Sequence, residues 1–246
     1  MENLSKLSSN AKTTEVDTVS SGIISEFGKN DWSGDAYLTG IFGILKPTQI
    51  QLSQAISRIK AESTLEEKDE QRDNKVRAVY YIVLGLMQHP DDAISTAAKK
   101  VDAVFEHYGM SIVSESYATE SSLIKSMLGD FDSPEIKAAI ALLPGLTQIV
   151  DDLKASQAGF EEAQLSFQNE KAVEGNAENA TAIKQKVLSI INDKIVIYLN
   201  AMIQVDEAKY GGLGGTIAQI ISDMNTDIKK RKKNSEPVST APAAGN

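Results

Sequence analysis

The stretch "QRDNKVRAVYYIVLGLMQHPDDAISTAAKKVDAVFEHYGM" at residues 71–110 decides the fold class, because it predicts two amphipathic helices joined by a tight turn. Apolar residues recur at helical spacing before the turn, at Val76, Val79, Ile82, Val83 and Leu86. The first helix is expected to end at His89, since proline disfavours the α conformation in the residue before it. Pro90 and two aspartates then favour a second helix, which is expected to end at Gly109.

The composition supports helices along the whole chain of 246 residues. Hydrophobic residues make up 41% and charged residues 24%, which is typical of a globular chain able to bury a core. Aromatic residues are only 6%, which suits helix-on-helix packing better than a sheet. These values and the periodic stretches predict an all-α fold, an elongated up-down helical bundle of about seven or eight helices with short connections.

The two ends of the chain differ from its middle. Residues 1–15 are polar and are expected to form a flexible N-terminus. Residues 16–232 are expected to form a single all-helical domain. Residues 233–246 are small and polar, which predicts a disordered C-terminal tail.

Several internal breaks are predicted. Pro47 predicts a kink or a junction between two helices. Thr64 with Glu67 resembles a capping box, which predicts a helix start. Pro144 predicts a second break, and "YGGLGG" at 210–215 predicts a hairpin turn between the last two helices. The glycines lack the preceding strand of a dinucleotide-binding loop and the Lys and Ser or Thr of a P-loop.

A long helix before these glycines carries an apolar seam in alternating steps of four and three: Ile191, Ile195, Tyr198, Met202 and Val205. Such a seam packs against a neighbouring helix at a shallow angle. It could lie within the chain or at a homodimer interface, and packing within the chain is favoured.

Charge and cysteine content exclude several classes of protein. The formal net charge is −9 at pH 7, so most of the surface should repel a phosphate backbone. The absence of cysteine excludes disulfides, thiolate nucleophiles and zinc–thiolate sites. The first twenty residues carry no secretory signal, and no stretch approaches the roughly 20 apolar residues of a membrane span. We therefore expect a cytoplasmic protein without membrane contact.

The catalytic constellations that sequence patterns can reveal are missing. The two histidines, His89 and His107, are expected at helix ends, and neither belongs to a Glu-x-x-His or His-Glu-x-x-His pattern. The acidic stretch "EEKDEQRD" at 66–73 and the pair Asp151–Asp152 could offer carboxylates to a cation such as Mg²⁺. Interleaved basic residues favour a solvated face with ion pairs instead. We expect no enzyme activity, no metal and no cofactor.

Two other groups of residues are candidate binding sites. A basic cluster against the acidic background is a possible contact for an anionic partner and comprises Lys229, Lys230, Arg231, Lys232 and Lys233. It could equally complement the carboxyl end of the last helix. Tyr117 and Glu120 are predicted to line a possible groove, because a tyrosine can bury its ring while its hydroxyl stays in water.

Several segments resemble an uncharacterised family of all-helical proteins of about 250 residues from Bacteroidetes bacteria. They are "RD" at 72–73, "YYIVLGLMQHPDDAISTAAKKVDAVFEHYG" at 80–109, "SYATES" at 116–121, "GLTQIVDDLKASQAGFEEAQLSFQNEK" at 145–171 and "MNTDIKKRKK" at 224–233. The resemblance implies an all-helical protein and carries no assigned activity, cofactor or site residue.

The sequence therefore predicts a non-enzymatic helical scaffold or protein-interaction protein, monomeric or homodimeric, with an unknown protein partner. The alternative is an accessory factor that touches nucleic acid through Lys229–Lys233.

Overall fold

The protein is all-α in the computed structural model, which describes residues 3–174 and 179–235. Its helices are α1 (Thr13–Phe27), α2 (Ala36–Leu86), α3 (Asp92–Tyr108), α4 (Tyr117–Phe131), α5 (Pro134–Leu142), α6 (Leu146–Glu174), α7 (Ala180–Val205) and α8 (Glu207–Ser235). A short 3-10 helix, Met110–Ser114, lies between α3 and α4. The predicted all-α fold is confirmed, and no strand occurs in the described residues.

The described chain divides into two compact units, where the sequence predicted a single domain over residues 16–232. Unit 1 takes the described residues up to Ser57 and from Glu174 onward, and unit 2 is Arg58–Val173. The first boundary falls inside α2, so no proline, glycine or polar linker marks it in the sequence.

α2 is one helix of 51 residues, so of the two alternatives at Pro47 the junction between two helices is wrong, and the kink stays a prediction. A proline inside a helix leaves the carbonyl four residues earlier without its donor, here the carbonyl of Gly43. Gly43 and Pro47 are both exposed, so that carbonyl lies on the solvent side of the helix. The predicted start at Thr64 is also wrong, because the Thr64 hydroxyl donates to the Lys60 carbonyl within the helix at 2.9 Å.

The hairpin predicted at 71–110 is confirmed, although its first helix ends three residues before the predicted end at His89. α2 ends at Leu86, and Asp91 caps α3 by accepting a hydrogen bond from the Ala93 amide at 2.8 Å. α3 ends before Gly109, whose φ of 72° lies in the region that favours glycine. The break at Pro144 is confirmed too, since α5 and α6 flank it.

Unit 2 has its own hydrophobic core, built from the second part of α2 with α3, α4, α5 and the start of α6. Its fully buried members include Val76, Val79, Val83, Ala98, Val101, Ile112, Ile124, Met127, Leu146 and Leu153. On α2, α3 and α4 these residues recur at steps of three and four, so the amphipathic pattern accounts for the packing.

The amino-terminal segment differs from the prediction of a flexible N-terminus over residues 1–15. Residues 3–12 lie outside the helices but pack on unit 1, and α1 already begins at Thr13. Leu4, Leu7 and Ala11 are at most 4% exposed, so this polar-looking segment contributes apolar side chains to the core. The predicted tail falls mostly on residues 236–246, which lie outside the described residues.

Asp35 caps the start of α2. One carboxylate oxygen accepts from the Leu38 amide at 2.9 Å, and the other accepts from the Tyr198 and Tyr210 hydroxyls, both at 2.7 Å. Burial opposes ionisation of this carboxyl, but the three hydrogen bonds outweigh it and leave the pKa of Asp35 below its usual value. The carboxylate thereby fixes the start of α2 to α7 and α8.

α7 carries the predicted seam into the core of unit 1. Ile191 and Ile195 are fully buried, whereas Val205 at the end of the helix is 75% exposed. The seam therefore packs within the chain over its first part. A π-helical segment, Ile190–Ile195, interrupts the regular steps by inserting an extra residue into the turn.

α7 is also long and apolar enough to cross a membrane by length and composition, with a mean hydropathy of 1.2 over its best window. The expectation that no stretch approaches a membrane span is therefore corrected. Its apolar stripe belongs to the core of unit 1, with Ile183, Val187 and Leu199 at most 1% exposed. A core helix passes the same test of length and composition, so this feature is weak support for a membrane protein.

The glycine-rich stretch is helical, so the predicted turn at 210–215 is wrong. The chain turns at Asp206 instead, whose side chain accepts from the Lys209 amide at 3.0 Å and starts α8. Gly214 faces α7 closely, because a Cβ atom there would meet the Cδ1 atom of Ile203 and require that side chain to move. The glycine lets α7 and α8 approach closely.

Candidate functional site

A buried polar cluster in unit 2 surrounds Arg72, which is fully buried. Arg72 stands in the apolar stripe of α2, seven residues after buried Leu65 and four before buried Val76. A charged residue is almost never fully buried unless it is paired. The neighbours of Arg72 therefore explain how the helix tolerates it.

The guanidinium of Arg72 is bound on two sides. Its Nη1 atom donates to Ser121 Oγ at 2.8 Å and to Gln157 Oε1 at 3.3 Å. Its Nη2 atom lies 2.6 Å from Asp69 Oδ1 and 2.6 Å from Glu120 Oε2. The contacts come from α2, α4 and α6, so one side chain joins three helices of unit 2.

Aromatic rings cover the cluster. The guanidinium carbon of Arg72 lies 3.7 Å from the centre of the Phe160 ring, which is a cation–π contact. Tyr117 meets the same ring edge-on at 5.2 Å between centroids. Burial raises the pKa of the Tyr117 hydroxyl, and the nearby carboxylate of Asp69 raises it further. Arg72 and Glu120 are thereby shielded from water, at 0% and 1% side-chain exposure, whereas the side chain of Asp69 is 24% exposed.

Two carboxylate oxygens of the cluster have no hydrogen-bond partner among the described residues: Asp73 Oδ1 and Glu120 Oε1. Glu120 is 1% exposed, and carboxylate oxygens of Asp69, Asp73 and Glu120 all lie within 4.8 Å of one another. Burial has the largest effect on the pKa of Glu120 and raises it. The positive charge of Arg72 lowers this pKa, whereas the adjacent Asp73 raises it further, and the result is a pKa of about 8. Protonated Glu120 can donate to Asp73 and satisfy both oxygens.

The charges of the cluster favour a proton over a metal ion between these oxygens. Three carboxylates face two guanidinium groups, since Arg77 also pairs with Asp73 at 3.1 Å, and the net charge is therefore −1. One proton brings the cluster to zero, whereas a divalent cation would leave it positive. Two like charges about 4 Å apart repel by roughly 4 kcal/mol at a dielectric constant near 20. The guanidinium of Arg72 already supplies the positive charge that these carboxylates need.

The cluster revises two expectations. The acidic stretch at 66–73 is not simply a solvated face, because it turns Asp69, Arg72 and Asp73 toward the core. Tyr117 and Glu120 lie together, but Glu120 is buried in the ion pair and does not line an open groove.

An open groove exists elsewhere in unit 2, between α3 and α5. It has a volume of about 530 Å³, within the usual range for ligand pockets. We call it the α3–α5 groove, and it is lined by Asp92, Ala93, Thr96, Ala97, Lys100, Glu135, Ala138, Ala139 and Leu142. Its floor is Ala97 and Ala139, which are about 5% exposed or less, and Leu142 stands on its wall at 61% exposure.

The rim of the α3–α5 groove is charged at both ends. Lys100 Nζ and Glu135 Oε1 form an ion pair across one end, at 2.7 Å. The hydrogen bond from Lys100 to Glu135 holds the pKa of Glu135 below its usual value, and the positive charge of Lys100 adds to this effect. Asp92 at the other end makes no ion pair with any residue that the structure describes. The groove therefore combines an alanine floor with one unneutralised acid.

The basic cluster lies on the last turns of α8. Arg231 forms an ion pair with Glu15 and donates to the Asn10 carbonyl at 3.1 Å, so it holds unit 1 together. Lys230 Nζ lies 3.4 Å from Asp227 Oδ1. Lys229 and Lys233 are exposed. The five residues are together on one helix end, but Arg231 is turned toward α1.

The histidines lie where the sequence placed them. His89 precedes α3 and its Nδ1 atom accepts from the Asp91 amide at 3.1 Å, whereas His107 is in the last turn of α3. They are at opposite ends of one helix.

Sequence reasoning missed both the Arg72 cluster and the α3–α5 groove. The one available signal was Arg72 itself, a charge at a position where the helical period requires an apolar residue. The groove had no signal, because alanines at 93, 97, 138 and 139 fit helix packing equally well.

Comparisons with known proteins place the chain in a family. A family model described as "Family of unknown function (DUF6261)" matches residues 62–225, well over half of the 246 residues. No curated protein and no solved structure matches the chain. The matched region runs from α2 into α8 and includes both the Arg72 cluster and the α3–α5 groove. The chain belongs to this family of unknown function, DUF6261.

Proposed function

We propose that this protein is a non-enzymatic interaction protein whose α3–α5 groove docks a helix of a protein partner. The observation that carries the proposal is the groove itself, an apolar trough of about 530 Å³ open to solvent, with alanine on both sides. Small side chains let a third helix approach two others closely, and helix-in-groove docking is a common mode of recognition.

The dimensions of the groove define the partner. The lining spans residues 92–100 of α3 and 135–142 of α5, so it is about 12 Å long at 1.5 Å per residue. Two turns of a helix cover that length, which predicts apolar residues at i, i+3 or i+4, and i+7 on the partner. Leu142 would pack against the side of this helix.

The rim charges add a second requirement. Asp92 is unpaired within the described residues, while Lys100 and Glu135 neutralise each other. A lysine or arginine on the partner, placed next to its apolar row, would complement Asp92. Rim charges of this kind mainly set specificity and association rate.

The experiment that tests the proposal compares two matched substitutions on α5. Ala138 lines the groove and Ala141 does not, although both are exposed. Ala138→Gln fills the groove and adds an amide that the partner would have to desolvate, whereas Ala141→Gln makes the same change outside it. The tagged full-length protein is purified from its host with each substitution, at low and high salt and with and without nuclease, and the co-purifying proteins are quantified.

We expect one partner to survive nuclease and high salt, to fall at least tenfold with Ala138→Gln, and to be unchanged with Ala141→Gln. Equal recovery with both substitutions would contradict the proposal. Association lost with nuclease, and lost again when Lys229–Lys233 are neutralised, would support the alternative of a nucleic-acid accessory factor.

The place of action belongs to the same proposal. The protein would act in the cytoplasm, which fits the cysteine-free chain, and would come from a Bacteroidetes bacterium, which fits the resemblance of its motifs. It would act as a monomer or homodimer without a cofactor.

A further inference from the structure

Residues 4–11 are held on unit 1 by side chains that bind their backbone. Asn200 accepts from the Leu4 amide at 2.8 Å and donates to the Leu4 carbonyl at 3.0 Å. Asn192, in the π-helical segment of α7, does the same for Leu7 at 2.8 and 2.9 Å. A single side-chain amide thus satisfies both polar groups of one residue, as a neighbouring β-strand would.

The same arrangement continues along the segment. Asn225 on α8 accepts from the Ser8 amide at 2.9 Å and donates to the Lys6 carbonyl at 2.9 Å. Lys184 Nζ then donates to the Ala11 carbonyl at 2.9 Å. We call these four side chains the amide clasp: Lys184, Asn192, Asn200 and Asn225. All their bonds to the segment go to main-chain atoms.

The amide clasp selects for chain conformation and not for sequence, because every peptide bond offers the same groups. Sequence enters through the buried apolar side chains, which are the small Ala11 at 1% exposure and the two large leucines, Leu4 at 4% and Leu7 at 2%. Lys6 between them points away, with its side chain 58% exposed in an ion pair with Asp193. The segment therefore presents the pattern Leu-x-x-Leu to unit 1.

A cavity of about 340 Å³ remains beside the start of the segment. Asn3, Leu4 and Ser5 line it on one side, and α7 and α8 line it on the other, with Ile203 and Ala218 among their residues. Larger side chains at the positions of Asn3 and Ser5 would fill this space. The segment in place thus leaves part of its own site empty.

We propose that the amide clasp is a binding site for non-helical Leu-x-x-Leu segments of other proteins, occupied in cis by residues 4–11 of this chain. A partner segment of the same pattern, with bulkier residues beside the first leucine, would displace the chain's own segment. The clasp lies in unit 1 and the α3–α5 groove in unit 2, so this inference stands independently of the proposed function.

Occupation in cis has a predictable effect on binding in trans. A tethered segment competes at an effective concentration of about millimolar. A free peptide must therefore bind much more weakly to the wild-type chain than to a chain whose own segment has lost its leucines.

The test uses the full-length protein and a fluorescent peptide with the sequence of residues 2–12. The protein carrying Leu4→Ser and Leu7→Ser is expected to bind the peptide saturably, at least tenfold more tightly than wild type. Adding Asn192→Ala should weaken that binding at least tenfold. Adding Lys194→Ala, at an exposed residue of the same π-helical segment that makes no ion pair with residues 4–11, should leave it unchanged.

Hydrogen exchange on the wild-type protein tests the same idea without substitutions. The amides of Leu7 and Ser8 should exchange through local opening, at least a hundredfold faster than the buried amides of α7. Exchange of these two amides as slow as that of α7 would mean that the segment leaves only on global unfolding, and would overturn the proposal. So would a folded leucine variant that fails to bind the peptide.

Discussion

Glu120→Gln is the substitution that probes the interior of unit 2 most sharply. If the carboxyl of Glu120 is protonated in the folded protein, glutamine reproduces its shape and hydrogen bonds. The amide oxygen can accept from Arg72 and the amide nitrogen can donate to Asp73. We therefore expect the variant to fold, and to differ from wild type in how its stability depends on pH.

The direction and size of the pH effect on stability follow from the raised pKa of Glu120. The pKa of Glu120 rises from 4.5 to about 8 on folding, so between these values the folded state holds a proton that the unfolded state has lost. Stability from this group is complete below pH 4.5 and is lost as the pH rises toward 8. One proton changes the free energy of unfolding by about 1.4 kcal/mol per pH unit.

Urea unfolding of wild type and Glu120→Gln from pH 5.5 to 9 measures this difference, with exposed Glu162→Gln on α6 as the control. The wild-type free energy of unfolding should fall relative to the variant by about 1 kcal/mol per pH unit up to pH 8, then run parallel to it. The free energy of unfolding of the Glu162→Gln control should depend on pH in the same way as that of wild type. A constant difference across the range would refute the shared proton, and stabilisation of wild type alone by Mg²⁺ or Mn²⁺ would assign the space to a cation.

Four further substitutions have defined outcomes in urea or thermal unfolding. Arg72→Ala leaves buried carboxylates unpaired and should lower the free energy of unfolding by about 3–5 kcal/mol, while a loss below 1 kcal/mol would show that the cluster is not a closed ion-pair site. Gly212→Ala meets no atom within 4 Å and should stabilise by about 0.5–1 kcal/mol through helix propensity. Gly214→Ala forces the side chain of Ile203 to move and should fall about 1–3 kcal/mol below Gly212→Ala, so equal effects would refute the close approach of α7 and α8. Asp35→Ala removes a helix cap and the acceptor of two tyrosine hydroxyls, and should cost about 2–4 kcal/mol, with a neutral effect contradicting the account of that carboxylate.

The fold class followed from local signals. Apolar periodicity predicted helices, and Pro90, Gly109 and Pro144 marked their ends correctly, because these residues act through their own backbone geometry. Pro47 did not divide α2 into two helices, since an exposed proline in a long helix leaves its unpaired carbonyl on the solvent side. The glycines at 211–215 failed too, because glycine serves turns and close helix contacts alike.

The candidate sites depend on contacts that no local pattern encodes. Arg72 meets Ser121 and Gln157 from 49 and 85 residues away in sequence. The amide clasp joins Leu4 to Asn200 across 196 residues. A buried arginine and single asparagines look like ordinary surface residues until tertiary packing brings their partners together.

Site-specific photo-crosslinking in the host tests the central claim most directly, that the α3–α5 groove docks a protein partner. A photoreactive residue is placed at position 138 in the groove or at position 141 outside it, in the otherwise unchanged full-length chain. The account predicts a discrete crosslinked partner from position 138 that is absent from position 141 and weakened when Asp92 is replaced by asparagine. Identical products from both positions, or none from either, would contradict it.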